Sequence, residues 1–320
     1  VNLEKESPVS LRHIIAATDL SPTELHKLFW EASTLSVRGK NPQTLAGFVV
    51  GLFFYEPSTR TMWSFDSAVK RLGGQTTVTA EAGLFSSAVK GETFEDTIRV
   101  VSGYVDLLVL RHPDAGSAQI ASTVSSVPVI NAGDGAHEHP TQAFLDLYTI
   151  WKHYEVSRRG VTYRPLRIVF HGDNRHSRTV RSLALLLATH AADLGIGVES
   201  VTFCGSGIYR DPPPDVVVAL MKSGIEVTKW TEELPKNQNT DVLYVTRSQK
   251  ERHGEHSDSV PSVLPDNTLS RLSADGLIMH PLPRTGEIPV SYDSDPRAKY
   301  FEQAKNGLYV RMALLQMLLS

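Results

Sequence analysis

Short apolar runs alternate with helical stripes along most of the chain. Residues 48–54 (Phe-Val-Val-Gly-Leu-Phe-Phe) form an unbroken apolar stretch of strand length, as a strand buried on both faces requires. Within residues 58–72 that follow, Phe65, Ala68, Val69 and Leu72 recur at i, i+3, i+4 and i+7, a single helical stripe. Further strands are predicted at 105–110, 127–130, 166–170, 198–203, 241–245 and 276–279. Helical patterns fall between them at 93–103, 115–124, 141–154, 179–192 and 216–223. This alternation predicts α/β units built around parallel sheets.

Local signals mark several boundaries. Ser21-Pro22-Thr23-Glu24 combines an N-cap, a proline at the first helical position and a capping-box glutamate. Pro212-Pro213-Pro214 opens a helix that Gly224 closes. The polar stretch from His153 to Arg164, after a helix long enough to bridge two sheets, is the expected domain boundary. A last helix over 308–319 has almost no charge beyond Arg311 and is expected to be buried.

Composition narrows the function classes. A length of 320 residues corresponds to about two domains. Hydrophobic content of 41% with 21% charged residues fits a soluble globular protein. With 32 Lys+Arg against 35 Asp+Glu, the net charge of -3 offers no excess to neutralise a nucleic acid. The single cysteine, Cys204, excludes an intramolecular disulfide and a multi-cysteine zinc site. No apolar run reaches membrane-helix length, and nothing at the N-terminus reads as a secretory signal. The missing initiator Met leaves a removed leader open.

The chemistry-bearing residues sit where predicted strands end. Strand 48–54 runs into Glu56-Pro57-Ser58-Thr59-Arg60-Thr61, which opens a helix. The unpaired N–H groups of a first helical turn, together with the helix dipole, attract an anion. Ser58, Thr59 and Thr61 add hydroxyl donors, and Arg60 adds a planar fork suited to phosphate. The alternative is an ordinary N-cap beside a surface arginine. Arg111 is the first residue past strand 105–110, at the carboxyl edge where open α/β sheets bind ligands. The glycine-rich segment Gly133–Gln142 presents His139 and Gln142 at a helix start, where His139 is expected to be neutral and to polarise a carbonyl. A metal held by His137 and His139 is disfavoured, because no third ligand is evident. In the second half, Arg178 and Arg247 are two further strand-end guanidiniums, suited to two carboxylates.

Taken together, Ser58-Thr59-Arg60-Thr61, Arg111-His112-Pro113, His139-Pro140-Thr141-Gln142, Arg247-Ser248-Gln249 and His280-Pro281-Leu282-Pro283-Arg284 resemble, in order and spacing, the signature set of the aspartate carbamoyltransferase family (catalytic chain). Segments 85–93 and 295–308 are most similar to plant-type members. The resemblance implies an α/β fold of two doubly wound domains, each a central parallel sheet flanked by helices. Residues 1–153 plus 300–320 would bind carbamoyl phosphate, and 154–299 would bind aspartate. It also implies a homotrimer with active sites shared between subunits, no cofactor and no metal, and no nucleic-acid or membrane partner. A regulatory chain is possible but not indicated. The expected location is cytoplasmic, or plastid if a leader was removed.

Residue by residue, the resemblance gives the phosphate to Ser58, Thr59, Arg60 and Thr61, with Ser86 and Lys90 reaching in from the adjacent subunit. Thr61, Arg111 and His139 would bind the carbonyl oxygen. Gln142 and the backbone carbonyls of Pro281 and Leu282 would bind the carbamoyl amide. Arg178, Arg247 and Gln249 would hold the aspartate carboxylates, with Lys90 and Leu282 also at that subsite and Glu251 orienting Arg247. Arg60, Thr61, Lys90, Arg111 and His139 would carry catalysis. The Leu282–Pro283 bond is expected to be cis. Met62-Trp63 and the Asn174–Ser177 loop depart from the family pattern; the first pair is expected not to touch ligand. The ornithine enzyme is the nearest alternative, but Pro281 stands where that enzyme usually carries a cysteine. A non-catalytic relative is the other alternative, against which the intact signature set speaks.

Overall fold

The apolar stretch Val49–Phe54 becomes strand β1, buried over nearly its whole length and paired along both of its edges. The computed structural model describes residues 12–38, 43–82, 91–157, 164–205, 207–230, 240–248, 263–265 and 267–319. Around β1 stand α1 (Pro22–Arg38), α2 (Thr59–Arg71), β2 (Gln75–Thr79), α3 (Phe94–Ser102), β3 (Leu107–His112), α4 (Ser117–Val124), β4 (Val129–Asp134) and α5 (Pro140–Ser157). The second half supplies β5 (Leu166–His171), α6 (Arg178–His190), β6 (Val198–Cys204), α7 (Pro214–Lys222), β7 (Glu226–Trp230), β8 (Thr240–Val245), β9 (Leu272–Met279) and α8 (Tyr300–Leu319).

Two parallel sheets result, in the orders β2-β1-β3-β4 and β7-β6-β5-β8-β9. The fold is thus α/β with two doubly wound sheets. Each order reverses direction once, between β1 and β3 in the first sheet and between β5 and β8 in the second. Such switch points open a crevice beyond the carboxyl ends of the two strands, because their following connections leave in opposite directions.

The expected caps form. Ser21 N–H and Oγ both donate to Glu24 Oε2, at 2.9 and 2.7 Å, closing the capping box of α1. Bonds from Arg12 and Ser21 hold the Glu24 carboxyl well below its usual range, at about 2. The α2 stripe buries Phe65, Ala68 and Val69 as the spacing requires.

Helix α8 turns back onto the first half and packs against α1, α2 and α5. One continuous buried cluster runs from β1 and β3 through α5 and α8 to α6, β5, β6 and β8, so the two sheets are held by shared core.

Several expectations need correction. Arg111 does not follow its strand: it lies within β3, paired in register with Phe54, and the strand ends at His112. Arg178 is the first residue of α6 rather than a strand end. Helix α8 starts eight residues before 308, and α5 runs on through Ser157 into the polar stretch read as a boundary. Edge strands β2 and β7 were not foreseen. The Leu282–Pro283 peptide is cis, and Leu282 adopts a φ of 55°.

Candidate active site

Both switch-point crevices open into one cavity of 460 Å³, a size suited to small molecules. From the first sheet it is lined by Glu56 to Thr61 after β1, by Arg111 of β3, and by His139 and Gln142 at the start of α5. From the second come Arg178 and Thr179 of α6, Arg247 beyond β8, and His280 to Pro283 beyond β9. Leu145, Gln303, Ala304 and Arg311 of the two bridging helices close its back.

The first-sheet side follows directly from local structure. Ser58 caps α2 with φ -155° and ψ 79°, and its hydroxyl makes no capping bond. The first-turn N–H groups of α2 have no intrahelical acceptor, and Thr59, Arg60 and Thr61 of that turn line the cavity. Burial and the nearby Arg247 charge both lower the Arg60 pKa. That repulsion is direct electrostatic coupling between cations of the two sheets.

Arg111 donates to the Ala132 carbonyl at 3.3 Å and lies 3.2 Å from Glu56 Oε2. The same Glu56 oxygen is 3.7 Å from Arg178 Nη2, so one carboxylate stands between guanidiniums of both sheets. Arg178 is buried and donates to the Gly135 carbonyl at 2.7 Å. The glycine-rich loop after β4 thus approaches a guanidinium of the other sheet. At Gly133 (φ +116°) a Cβ would lie only 2.9 Å from Arg178 Cζ, so a glycine is required there. His139 is buried, and its N–H donates to Ser182 Oγ of α6 at 3.1 Å.

Beyond β9, His280 Nδ1 accepts from the Leu282 N–H at 2.8 Å. The ring proton therefore sits on Nε2, which donates to Glu287 at 2.6 Å. Burial lowers the His280 pKa and keeps the ring neutral. Burial alone would raise Glu287, but bonds from His280 and the Thr285 N–H bring it down to about 2. These bonds fix the backbone that carries the Pro281 and Leu282 carbonyls.

Of the expected site residues, Ser58, Thr59, Arg60, Thr61, Arg111, His139, Gln142, Arg178, Arg247, Pro281 and Leu282 line this single cavity. Ser86, Lys90, Gln249 and Glu251 lie outside the described residues. Met62 and Trp63 are not among the lining residues, and Trp63 is exposed. The Asn174–Ser177 loop is held by Asn174, whose amide donates to the Cys204 and Arg210 carbonyls at 3.0 and 3.1 Å. His137 is half-exposed, 3.4 Å from Asp134. Several lining residues carry no role from the sequence, among them two charged ones. Glu56 belonged to the quoted motif, whereas Arg311 stood out only as a lone charge on an apolar helix; it is buried over the Phe65 ring at 5.1 Å.

A cleft of this construction, with guanidiniums from two doubly wound sheets converging on one small cavity, has the makings of an anion-binding site of an α/β enzyme. Comparison with known proteins gives the family. Residues 12–152 match the model for the aspartate/ornithine carbamoyltransferase carbamoyl-P binding domain, and 164–318 match that for the Asp/Orn binding domain. The chain belongs to the aspartate/ornithine carbamoyltransferase family.

The chloroplastic aspartate carbamoyltransferase of Oryza sativa subsp. japonica is 44% identical over 87% of this chain and 74% of its own. The aspartate carbamoyltransferase catalytic subunit of Methanoculleus marisnigri is 42% identical over 95% of this chain and 98% of its own. Aspartate transcarbamoylase from Trypanosoma cruzi, solved in complex with carbamoyl phosphate, superposes with a TM-score of 0.85 at 33% identity, covering 97% of each chain.

Proposed function

We propose that this cavity transfers the carbamoyl group of carbamoyl phosphate to the α-amine of L-aspartate, giving N-carbamoyl-L-aspartate and phosphate in pyrimidine biosynthesis. One observation carries the reading: Arg60, Arg111, His139 and Gln142 of one sheet and Arg178 and Arg247 of the other line the same cavity. Phosphate is held by the first turn of α2, through Ser58, Thr59, Arg60 and Thr61. The carbonyl oxygen is held by Thr61, Arg111 and His139. The carbamoyl NH2 is held by Gln142 and the carbonyls of Pro281 and Leu282. The aspartate carboxylates go to Arg178 and Arg247, with Gln249 as a further donor.

The chemistry needs little beyond this. Carbamoyl phosphate already carries an activated leaving group, so the chain must bring two mutually repelling anions together and stabilise charge that develops on the carbonyl oxygen. Pre-positioned donors in a water-poor cleft do both. The amine attacks the carbonyl carbon, the C–O bond to phosphate breaks, and the departing phosphate takes up the amine proton.

Ser86 and Lys90 complete the site from a neighbouring subunit of a homotrimer. Residues 1–153 with 300–320 form the carbamoyl phosphate domain, an assignment that the packing of α8 on α1, α2 and α5 supports. Residues 154–299 form the aspartate domain. Plant relatives are designated chloroplastic, which supports a plastid location; cell fractionation distinguishes it from a cytoplasmic one. Among the described residues no helix is long and apolar enough to cross a membrane.

Colorimetric detection of carbamoyl aspartate from carbamoyl phosphate and aspartate tests the reaction. Ornithine in place of aspartate should give no product. Turnover with ornithine alone, or no turnover with either amine, would refute the reading.

A further inference from the structure

Asp146 lies on α5 one turn behind Gln142, completely buried and outside the cavity lining. Its carboxylate collects donors from three elements. Oδ1 accepts from Gln142 Nε2 at 2.8 Å and from Gln303 Nε2 of α8 at 2.6 Å. Oδ2 accepts from the Tyr244 hydroxyl of β8 at 2.6 Å. Burial pushes the Asp146 carboxyl up to about 7, while the bonds from Tyr244, Gln303 and Gln142 and the nearby buried Arg311 charge favour its ionised, acceptor-only form.

The orientation this imposes is chemically specific. A side-chain amide has one donor end and one acceptor end. With its NH2 turned onto a carboxylate, Gln142 presents its carbonyl oxygen away from Asp146. Gln303 is fixed in the same sense: its NH2 meets Asp146, and its oxygen accepts the His280 backbone N–H at 2.8 Å. His280 in turn holds Leu282 through Nδ1. One buried carboxylate therefore governs, through two glutamines, both the Gln142 oxygen and the backbone that bears the Pro281 and Leu282 carbonyls. All of these are acceptors, and a substrate group that meets them must be a donor.

We infer that Asp146 is a positioning residue that makes the cavity select an acyl phosphate bearing an NH2 group, by locking Gln142 and Gln303 with their donor ends turned away from the substrate. The inference rests on the carbamoyl phosphate reading above and deepens it. Acetyl phosphate is the discriminating probe, because a methyl group replaces the NH2 while the phosphate and carbonyl are kept. An unlocked Gln142 loses its preference for a donor and leaves phosphate binding alone, whereas a general loss of structure weakens both ligands together. Sites built to hydrogen-bond a polar group discriminate strongly against analogues that lack it.

The test compares the carbamoyl phosphate KM with the acetyl phosphate inhibition constant in wild type, Asp146→Ala and Tyr244→Phe. In Asp146→Ala the carbamoyl phosphate KM should rise roughly 10- to 100-fold, with the acetyl phosphate constant within about threefold of wild type. Asp146→Asn, which keeps an oxygen for the two glutamine donors, should recover most of the preference. Tyr244→Phe removes the Oδ2 donor, together with the bond of the same hydroxyl to Thr179, while Tyr244 itself lies outside the cavity lining. It should reduce the carbamoyl-over-acetyl preference by roughly 3- to 10-fold, and it keeps the test decisive if Asp146→Ala does not fold. Equal weakening of both ligands, or an unchanged preference in folded Tyr244→Phe, overturns the inference. Failure of the carbamoyl phosphate reading itself is distinct: the wild-type chain would then form no carbamoyl aspartate.

Discussion

Gly133 carries a φ of +116° and faces the Arg178 guanidinium that crosses from the other sheet. A Cβ built there lies 2.9 Å from Arg178 Cζ and 3.0 Å from both terminal nitrogens. Ordinary contact begins near 3.4 Å, so in Gly133→Ala the guanidinium must retreat by at least about 0.5 Å. It has little freedom to do so, because it is buried and bonded to the Gly135 carbonyl. Displacements of roughly 1 Å in a positioning group cost up to about 10²-fold in rate. The expected result is therefore a roughly 10- to 100-fold fall in kcat/KM for aspartate, with the carbamoyl phosphate KM little changed.

The unfavourable φ adds ~1–3 kcal/mol of destabilisation wherever it occurs. Gly116 supplies the control: its φ is +85°, and a Cβ there meets nothing within 4 Å. Gly116→Ala should lower the melting temperature comparably while aspartate kinetics stay normal. Steady-state kinetics with aspartate varied, alongside thermal melts of both variants, decide the matter. A wild-type aspartate KM in Gly133→Ala, or the same kinetic loss in Gly116→Ala, would show that the Arg178 seat does not set aspartate affinity.

Arg111→Ala should lower turnover by at least ~10²–10³-fold, the usual loss for one oxyanion donor, and Arg60→Ala, which removes the guanidinium fork from the phosphate, by at least about as much, with circular dichroism unchanged; near-normal turnover in either breaks the assignment. If sites are shared between subunits, mixing inactive Lys90→Ala with inactive Arg60→Ala chains should restore activity in hybrid trimers, and no rescue despite proven mixing argues against sharing. Glu287 has a folded pKa depressed to about 2. Its stabilising contribution is thus complete above its unfolded value of 4.5 and is lost as pH falls from there towards 2. Denaturant titrations between pH 6 and pH 3 should show wild type losing more stability than Glu287→Gln, and parallel losses would remove the His280–Glu287 bond from the account.

The strands that mattered were legible because both of their faces are buried, which writes an unbroken apolar run. Edge strands β2 and β7 were not, and for the same reason: Gln75–Thr79 carries one large apolar residue, and Glu226–Trp230 includes Glu226 and Lys229. Edge position alone does not decide this, since edge strands β4 and β9 are largely buried; β2 is half-exposed on its faces, and a strand with a solvated face needs no such run. The first turns of α8 were missed because Glu302, Gln303, Lys305 and Asn306 interrupt its apolar pattern. Two of these, Gln303 and Asn306, are buried in bonds to Asp146 and Thr149, partners 157 residues away. Helical periodicity counts apolar positions, so a polar residue buried against a distant polar partner looks like surface. Glu56 and Asp146 were opaque on similar grounds: their meaning lies in Arg178 and in Tyr244 and Gln303, which no local spacing brings to mind.

The division of cations between two sheets has its own physical logic. Arg60, Arg111, Arg178, Arg247 and Arg311 line one cavity in a chain of net charge -3, with Glu56 the single carboxylate among the described lining residues. Like charges in such a cleft repel, and the Arg60 pKa, lowered first by burial, is lowered further by the nearby Arg247 charge. Cations of one sheet are spaced by its strand positions: Arg111 by β3, and Arg60 by the turn after β1. Those of the other sheet approach only as the sheets do, so cation–cation repulsion opposes the narrowing of the cleft and Glu56, near both Arg111 and Arg178, offsets part of it. A phosphate on one side and two carboxylates on the other reverse the sign of this term. With the substrates placed as proposed, their charge would favour a narrower cleft. On the proposed assignment, the arginines that would bind the substrates would also couple binding to closure of the cleft.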